Sequence, residues 1–158
     1  MTPIKESIIN KNTSIKPIWF MRQAGRYLPE FREIRKLNPN FINLCLNDNL
    51  SSKITLQPLQ RFKLDAAIIF SDILMIPYGL NQEVKFKKNF GPELGPLNLD
   101  KIIDINPNNF IEKLTPVYKG IEKVKSKLKD KSLIGFVGAP WTLLVYMINK
   151  VSPKKKIV

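Results

Sequence analysis

The sequence predicts a parallel α/β fold, and three observations carry that reading. Short apolar runs without polar alternation stand at 15–21, 65–70 and 132–137, the pattern of strands covered on both faces. Stretches with helical signals separate them, and buried strands joined by helical crossovers form parallel sheets. Each chemically suggestive segment directly follows one of these runs: Arg22-Gln23 the first, Ser71-Asp72 the second, Gly138-Ala139-Pro140 the third. In α/β architectures, sites are built at the carboxyl ends of parallel strands.

Element by element, residues 1–14 are polar and read as a flexible arm before the strand at 15–21. Pro29 is placed to open a helix through about Lys36, with Glu30 in its first turn favouring the positive end of the helix dipole. Asn38-Pro39-Asn40 ends it, and 41–46 forms a short helix. Asn49 or Ser51 can cap the next helix, which reaches Phe62 and is kinked or restricted by Pro58. After the strand at 65–70, a loop runs through Pro77-Tyr78-Gly79. Residues 83–86 and the Gly91-Pro92 turn suggest a small hairpin or excursion. Residues 106–114 start one helical piece, and Thr115-Pro116 reads as the cap and first residue of another. Along it Val117, Ile121, Val124 and Leu128 fall on one face, and lysines take the other. The strand at 132–137 then turns through Gly138-Ala139-Pro140-Trp141 into a helix over about 141–150.

The 158 residues suffice for one domain with a real core, and 44% apolar with 25% charged residues is ordinary for a globular protein. No apolar run approaches the ~18–20 residues that span a bilayer, and the N-terminus has no apolar leader. The single cysteine, Cys45, excludes an intrachain disulfide and fits a reducing cytoplasm. Histidine is absent. A zinc site is therefore implausible, and a Ser-His-Asp or Cys-His nucleophile system is impossible within the chain. Acid–base work falls to carboxylate, tyrosine, lysine or arginine. The net charge of +13 leaves three readings, an acidic substrate, a composition bias or nucleic acid, and nucleic acid is the weakest of them. The lysines are spread out, and the run at 123–131 lies on a helix face of the solvated kind.

Lysine supplies the general charge, yet four of the five arginines, Arg22, Arg26, Arg32 and Arg35, fall within fourteen residues. A guanidinium grips carboxylate or phosphate through two parallel hydrogen bonds, which an ammonium cannot. Arg22 and Arg26, beside Gly25 and an aromatic-apolar run, are candidate anion ligands, whereas Arg32 and Arg35 read at least as well as surface arginines on a helix. Asp72 sits between apolar runs, where a carboxylate is costly unless paired or used. It serves either as an anion awaiting a cation or N–H donor, or as a turn cap. Gly138-Ala139-Pro140 leaves room for a bulky ligand or simply packs tightly. Tyr146 either offers its hydroxyl to the site or belongs to the core.

The segment Pro17-Ile-Trp-Phe-Met-Arg-Gln-Ala-Gly-Arg-Tyr-Leu-Pro-Glu-Phe-Arg32 closely resembles the N-terminal signature of the uroporphyrinogen decarboxylases. Two further motifs of that family are matched by Asp65-Ala-Ala-Ile-Ile-Phe-Ser-Asp-Ile-Leu74 and Gly135-Phe-Val-Gly-Ala-Pro-Trp-Thr142. The resemblance implies a (β/α)₈ TIM barrel, a homodimer in the cytoplasm, and no metal or organic cofactor. It implies decarboxylation of the four acetate side chains of uroporphyrinogen to give coproporphyrinogen, in haem and tetrapyrrole synthesis. By the family pattern the stretch from Arg22 to Arg26 contacts the substrate. Arg22 and Arg26 would bind its carboxylates, Gln23 and Ala24 would line the cleft around Gly25, and Arg35 would reach a propionate. Asp72 would accept hydrogen bonds from the pyrrole N–H groups, and Tyr146 would add a polar contact.

A barrel of this kind takes ~250 residues. Only three or four core strands can be placed here, and the family's later serine or threonine and histidine have no counterpart. Residues 15–158 are thus expected to be an incomplete barrel domain lacking its C-terminal half: a truncated or frameshifted frame, or one half of a split protein. Such a chain is either active only with a complementary half or a non-catalytic fragment.

Overall fold

The computed structural model describes residues 1–12, 14–87 and 90–151. Their helices are α1 (Pro3–Ile9), α2 (Pro29–Leu37), α3 (Phe41–Cys45), α4 (Asp48–Arg61), α5 (Met75–Gly79), α6 (Leu99–Ile103), α7 (Pro107–Lys127) and α8 (Pro140–Asn149). Their strands are β1 (Ala66–Ile68), β2 (Val84–Lys87), β3 (Gly91–Leu94) and β4 (Ser132–Ile134).

β1 and β4 pair in parallel, with Ala66 opposite Ser132, Ala67 opposite Leu133 and Ile68 opposite Ile134. Ser132 N–H donates to the Asp65 carbonyl at 3.0 Å, and Ile69 N–H to the Ile134 carbonyl at 3.1 Å. Both strands are shorter than their apolar runs because the chain turns away at their carboxyl ends. There Thr55 on α4 takes over, its Oγ1 accepting the Phe70 N–H at 2.8 Å.

α4 packs on β1 and on α7. The crossing is close: a Cβ at Gly120 would lie 2.8 Å from Ser51 Oγ. The cap of α4 is Asn47, whose side chain accepts the N–H groups of Asn49 and Leu50 at 3.1 and 3.0 Å, rather than Asn49 or Ser51. α7 runs unbroken through Pro116, where the sequence suggested a fresh start. Burial of Leu114 and Val124 on one continuous face outweighs the missing proline N–H.

The segment 15–21 departs most from expectation. It is not a strand, and Ile18, Trp19, Phe20 and Met21 are exposed, Met21 by 79%. Asp65 holds it at one point: Ile18 N–H donates to Asp65 Oδ2 at 2.7 Å, and Asp65 N–H donates to the Ile18 carbonyl at 2.8 Å. An apolar run becomes a buried strand only where other elements cover it. The arm at 1–14 contains α1, which reaches β4 through a 2.5 Å contact between the Thr2 and Ser132 hydroxyls. α5 occupies the expected loop, and α6 had no clear sequence signal.

β2 and β3 form the expected hairpin, with Val84 opposite Leu94 and Lys87 opposite Gly91. Leu94 N–H donates to the Lys150 carbonyl at 2.7 Å, tying the hairpin to the end of α8. One core cluster joins α3, α5, the hairpin, α7 and α8 through Cys45, Leu74, Met75, Val84, Leu94, Leu114, Leu143 and Met147. A second unites Leu28, Phe31, Ile34, Leu44 and Ile54. Phe70 packs against both.

Candidate active site

Three sequence segments meet around the parallel pair. The first is the arginine loop, residues 22–28. Gln23 is 4% exposed; its Nε2 donates to the Ala66 carbonyl at 2.9 Å, and its Oε1 accepts the Ile68 N–H at 3.2 Å. The Tyr27 hydroxyl donates to the Gln23 carbonyl, and Leu28 N–H donates to the Gly25 carbonyl at 3.0 Å. Arg32 Nη1 donates to the Arg26 carbonyl at 2.8 Å and to that of Tyr27 at 3.3 Å. The loop backbone is therefore fixed by side chains from its own sequence. The Arg22 and Arg26 side chains are exposed, and their guanidinium groups have no hydrogen-bond or ion-pair partner among the described residues.

Two members of the candidate set are engaged differently from the sequence reading. Gln23 spends its amide on the sheet, and Arg35 spends its guanidinium on the end of α2. Arg35 Nη1 donates to the carbonyls of Asn38 and Pro39 at 2.6 and 3.1 Å, and its guanidinium carbon stands 5.4 Å from the Phe41 ring centre. Ala24 is half-buried and packs against the Leu28 cluster. Gly25 is half-buried, with only the Tyr27 ring within 4 Å of where its Cβ would be.

The second segment carries Asp72 beyond the end of β1. Its Oδ1 accepts the Leu74 N–H at 2.8 Å, so the turn-cap reading holds for one carboxylate oxygen. Burial pushes its pKa above the ordinary aspartate value, and the Leu74 N–H only partly opposes this. No arginine or lysine pairs with Asp72 among the described residues. Burial, with Asp72 adding to it, also pushes the Cys45 thiol far up, leaving it protonated and inert.

The third segment is Gly138-Ala139-Pro140 beyond β4. Gly138 is buried, and a Cβ there would lie 2.6 Å from Leu143 Cδ2 and 3.1 Å from Ile73 Cβ. This close approach seats the start of α8 against the residue next to Asp72. Tyr146 is half-buried and packs against the core cluster containing Leu74, Met75 and Leu143.

The sequence reading missed Thr55, Asp65 and Tyr27, which hold the framework. Their signals were a threonine on the buried side of a helix, a carboxylate opening an apolar run, and a tyrosine four residues after a buried glutamine. Among the described residues no group of three or more Cys, Asp or Glu side chains is placed to hold a metal, and no helix is long and apolar enough to cross a membrane.

The parallel strands and their helical cover put the chain in the class of α/β-barrel proteins, as a partial barrel. A methyltransferase from Methanosarcina mazei superposes with a TM-score of 0.68 over 92% of this chain and 44% of that one; at 14% identity the likeness is of fold alone. The chain belongs to the uroporphyrinogen decarboxylase family, whose family model, "Uroporphyrinogen decarboxylase (URO-D)", matches residues 2–156. It is 46% identical over 144 residues to the uroporphyrinogen decarboxylase of Chelativorans sp. (strain BNC1), covering 90% of this chain and 42% of that protein. It is 49% identical over 145 residues to the one from Rickettsia felis, covering 89% and 41%. The chain thus spans about two fifths of the length of these relatives.

Proposed function

We propose that this chain supplies one wall of a uroporphyrinogen decarboxylase site and turns substrate over only when the rest of the barrel is present. The observation that carries the reading is a pair of exposed guanidinium groups, Arg22 and Arg26, without partners among the described residues, on a braced loop tied to the strand that leads to Asp72. Free guanidinium groups on a fixed backbone bind carboxylates with little ordering cost. Uroporphyrinogen carries acetates and propionates around four pyrroles, so it offers carboxylates to the arginines and N–H donors to Asp72.

The chemistry needs both. Adding a proton to the ring α-carbon next to the carbon bearing the acetate creates a cation shared between that acetate-bearing carbon and the ring nitrogen. The acetate C–C bond then breaks, carbon dioxide leaves, and the bonding pair neutralises the cation. A second protonation at the former methylene carbon leaves a methyl group, and loss of the first proton from the ring α-carbon restores the pyrrole. Ionised Asp72 beside the pyrrole N–H groups stabilises the cation as it forms. Four such events give coproporphyrinogen with no cofactor. Ala24 and Gly25 line the cleft above Gln23, whose amide is held by β1, with Arg35 and Tyr146 at its margin. The reading carries with it a cytoplasmic protein and, for the whole barrel, a homodimer.

The exposed apolar segment 18–21 favours dependence on further barrel elements over a self-sufficient enzyme. The test is anaerobic incubation with uroporphyrinogen, followed by chromatography of the oxidised products. The chain alone should give no coproporphyrin. Mixing or co-expression with the carboxyl-terminal part of the Rickettsia felis relative should give product, lost on Arg22→Ala with Arg26→Ala. Robust product from the chain alone would remove the need for a partner. Absence of product from every combination would leave the non-catalytic fragment as the answer.

A further inference from the structure

We propose that Gln23 is a positioning residue: its side-chain amide stands in for a neighbouring strand on the open edge of β1 and so registers the arginine loop on the sheet. The inference rests on reading Arg22 and Arg26 as carboxylate grips, and it moves Gln23 from the substrate cleft to the framework beneath it.

The geometry is that of a parallel ladder. In parallel pairing, the residue facing position i donates to the carbonyl of i−1 and accepts the N–H of i+1. Gln23 does this around Ala67, donating to the Ala66 carbonyl and accepting the Ile68 N–H. The opposite edge of the strand is spent on β4 through the Asp65 carbonyl and the Ile69 N–H. The segment 15–21 forms no strand that could serve the open edge. Ala66 is fully buried, and an unpaired buried backbone group costs roughly a lost hydrogen bond. The amide satisfies both groups at once.

Only glutamine combines the needed features. Glutamate has no N–H for the Ala66 carbonyl, asparagine is one methylene shorter, and methionine fills the volume without polar atoms. Gln23 is adjacent to Arg22, and its own carbonyl is held by Tyr27. Arg32 fixes the Arg26 carbonyl at the other end. The sheet register is thereby passed to Arg22 across one peptide bond and to Arg26 across three.

The test uses this full chain. In the isotope-labelled wild type, a trans-hydrogen-bond coupling between the Ile68 amide nitrogen and the Gln23 side-chain carbonyl carbon should be detectable; its absence overturns the proposal without any variant. In Gln23→Met, the Ile68 amide should exchange about tenfold faster. Trypsin should also cut after Arg22 and Arg26 faster, relative to Arg61, with far-UV circular dichroism unchanged. Uroporphyrin, the fluorescent oxidised macrocycle, should bind about tenfold more weakly. Wild-type exchange and cleavage in Gln23→Met would overturn the proposal. So would faster exchange with unchanged uroporphyrin affinity, because the amide would then hold β1 without positioning the arginine loop. If the wild-type chain binds no uroporphyrin, the functional reading fails, while exchange and cleavage still decide the role of Gln23.

Discussion

Asp72 is held between two opposing effects. Burial raises its pKa above the ordinary value, and one backbone N–H, from Leu74, lowers it less than burial raises it. A group whose folded pKa is raised binds more protons folded than unfolded between the two values. Stability therefore falls as pH climbs from about 3.8 through the folded value, and it stays lower above it. Asp72→Asn keeps an oxygen for Leu74 and removes the charge. It should raise Tm at neutral pH and leave Tm nearly unchanged at low pH, as calorimetry at both pH values would read. In the assembled enzyme the same change should remove most turnover while leaving binding largely intact. A carboxylate that costs stability and is required for rate is the signature of a functional group; a lower Tm in Asp72→Asn would return it to a structural cap. The arginines divide by the same reasoning. Arg32 and Arg35 hold carbonyls of their own chain, whereas Arg22 and Arg26 hold none among the described residues. The neighbouring residues set Arg22 and Arg26 apart from Arg32 and Arg35 in the sequence. The carbonyl partners of Arg35 were not legible there, because a carbonyl cluster at the end of α2 exists only after the chain has turned.

Strand ends, more than strands, position the candidate site. The carboxyl end of β4 reaches the Asp72 segment because Gly138 admits Leu143 and Ile73 to contact distance. Gly138→Ala would place a methyl group 2.9 Å from Leu143 Cγ and 3.1 Å from Ile73 Cβ. Overpacking of this kind costs about 1–3 kcal/mol. The expected fall in Tm is several degrees, and calorimetry finding no fall would mean that α8 can move away without loss. The sequence reading located α2, α4 and α8 from proline, cap and turn residues, and the later part of α7 from apolar periodicity. It split α7 wrongly at Pro116, because a local proline signal was weighed without the packing on α4 that carries the helix through. It also read 15–21 as a buried strand. The composition of that run is right for a strand, and its exposure reflects the lack of a covering element among the described residues.

Taken whole, the chain presents unusual apolar surface. Ile18, Trp19, Phe20 and Met21 are exposed on one segment, and Phe136, Val137 and Trp141 around the end of β4, Trp141 by 75%. Large exposed apolar patches and open strand edges mark surfaces that associate. The net charge of +13 opposes association at low salt, and screening weakens that opposition. Sedimentation velocity should therefore show self-association that grows with concentration and with salt. Phe136→Ser combined with Trp141→Ser should weaken it several-fold; a monomer at all concentrations and salts would show that these patches are covered within the chain. The likeness to the Methanosarcina mazei methyltransferase belongs at this level too, since it concerns the path of the backbone and not the site.

The motifs around Arg22, Asp72 and Gly138, and their places after apolar runs, were decided by local residue order. So were the parallel α/β class, the hairpin, and the exclusion of histidine chemistry. These follow from periodicity, turn residues and side-chain inventory, which act over a few positions. Only the folded chain decided that Gln23 pairs with β1, that Thr55 receives the Phe70 N–H, that Arg35 turns inward and that Asp72 is desolvated. Each depends on groups brought together from different parts of the chain. The free energy of burial and of buried hydrogen bonds is set by that meeting, and not by the residue type alone.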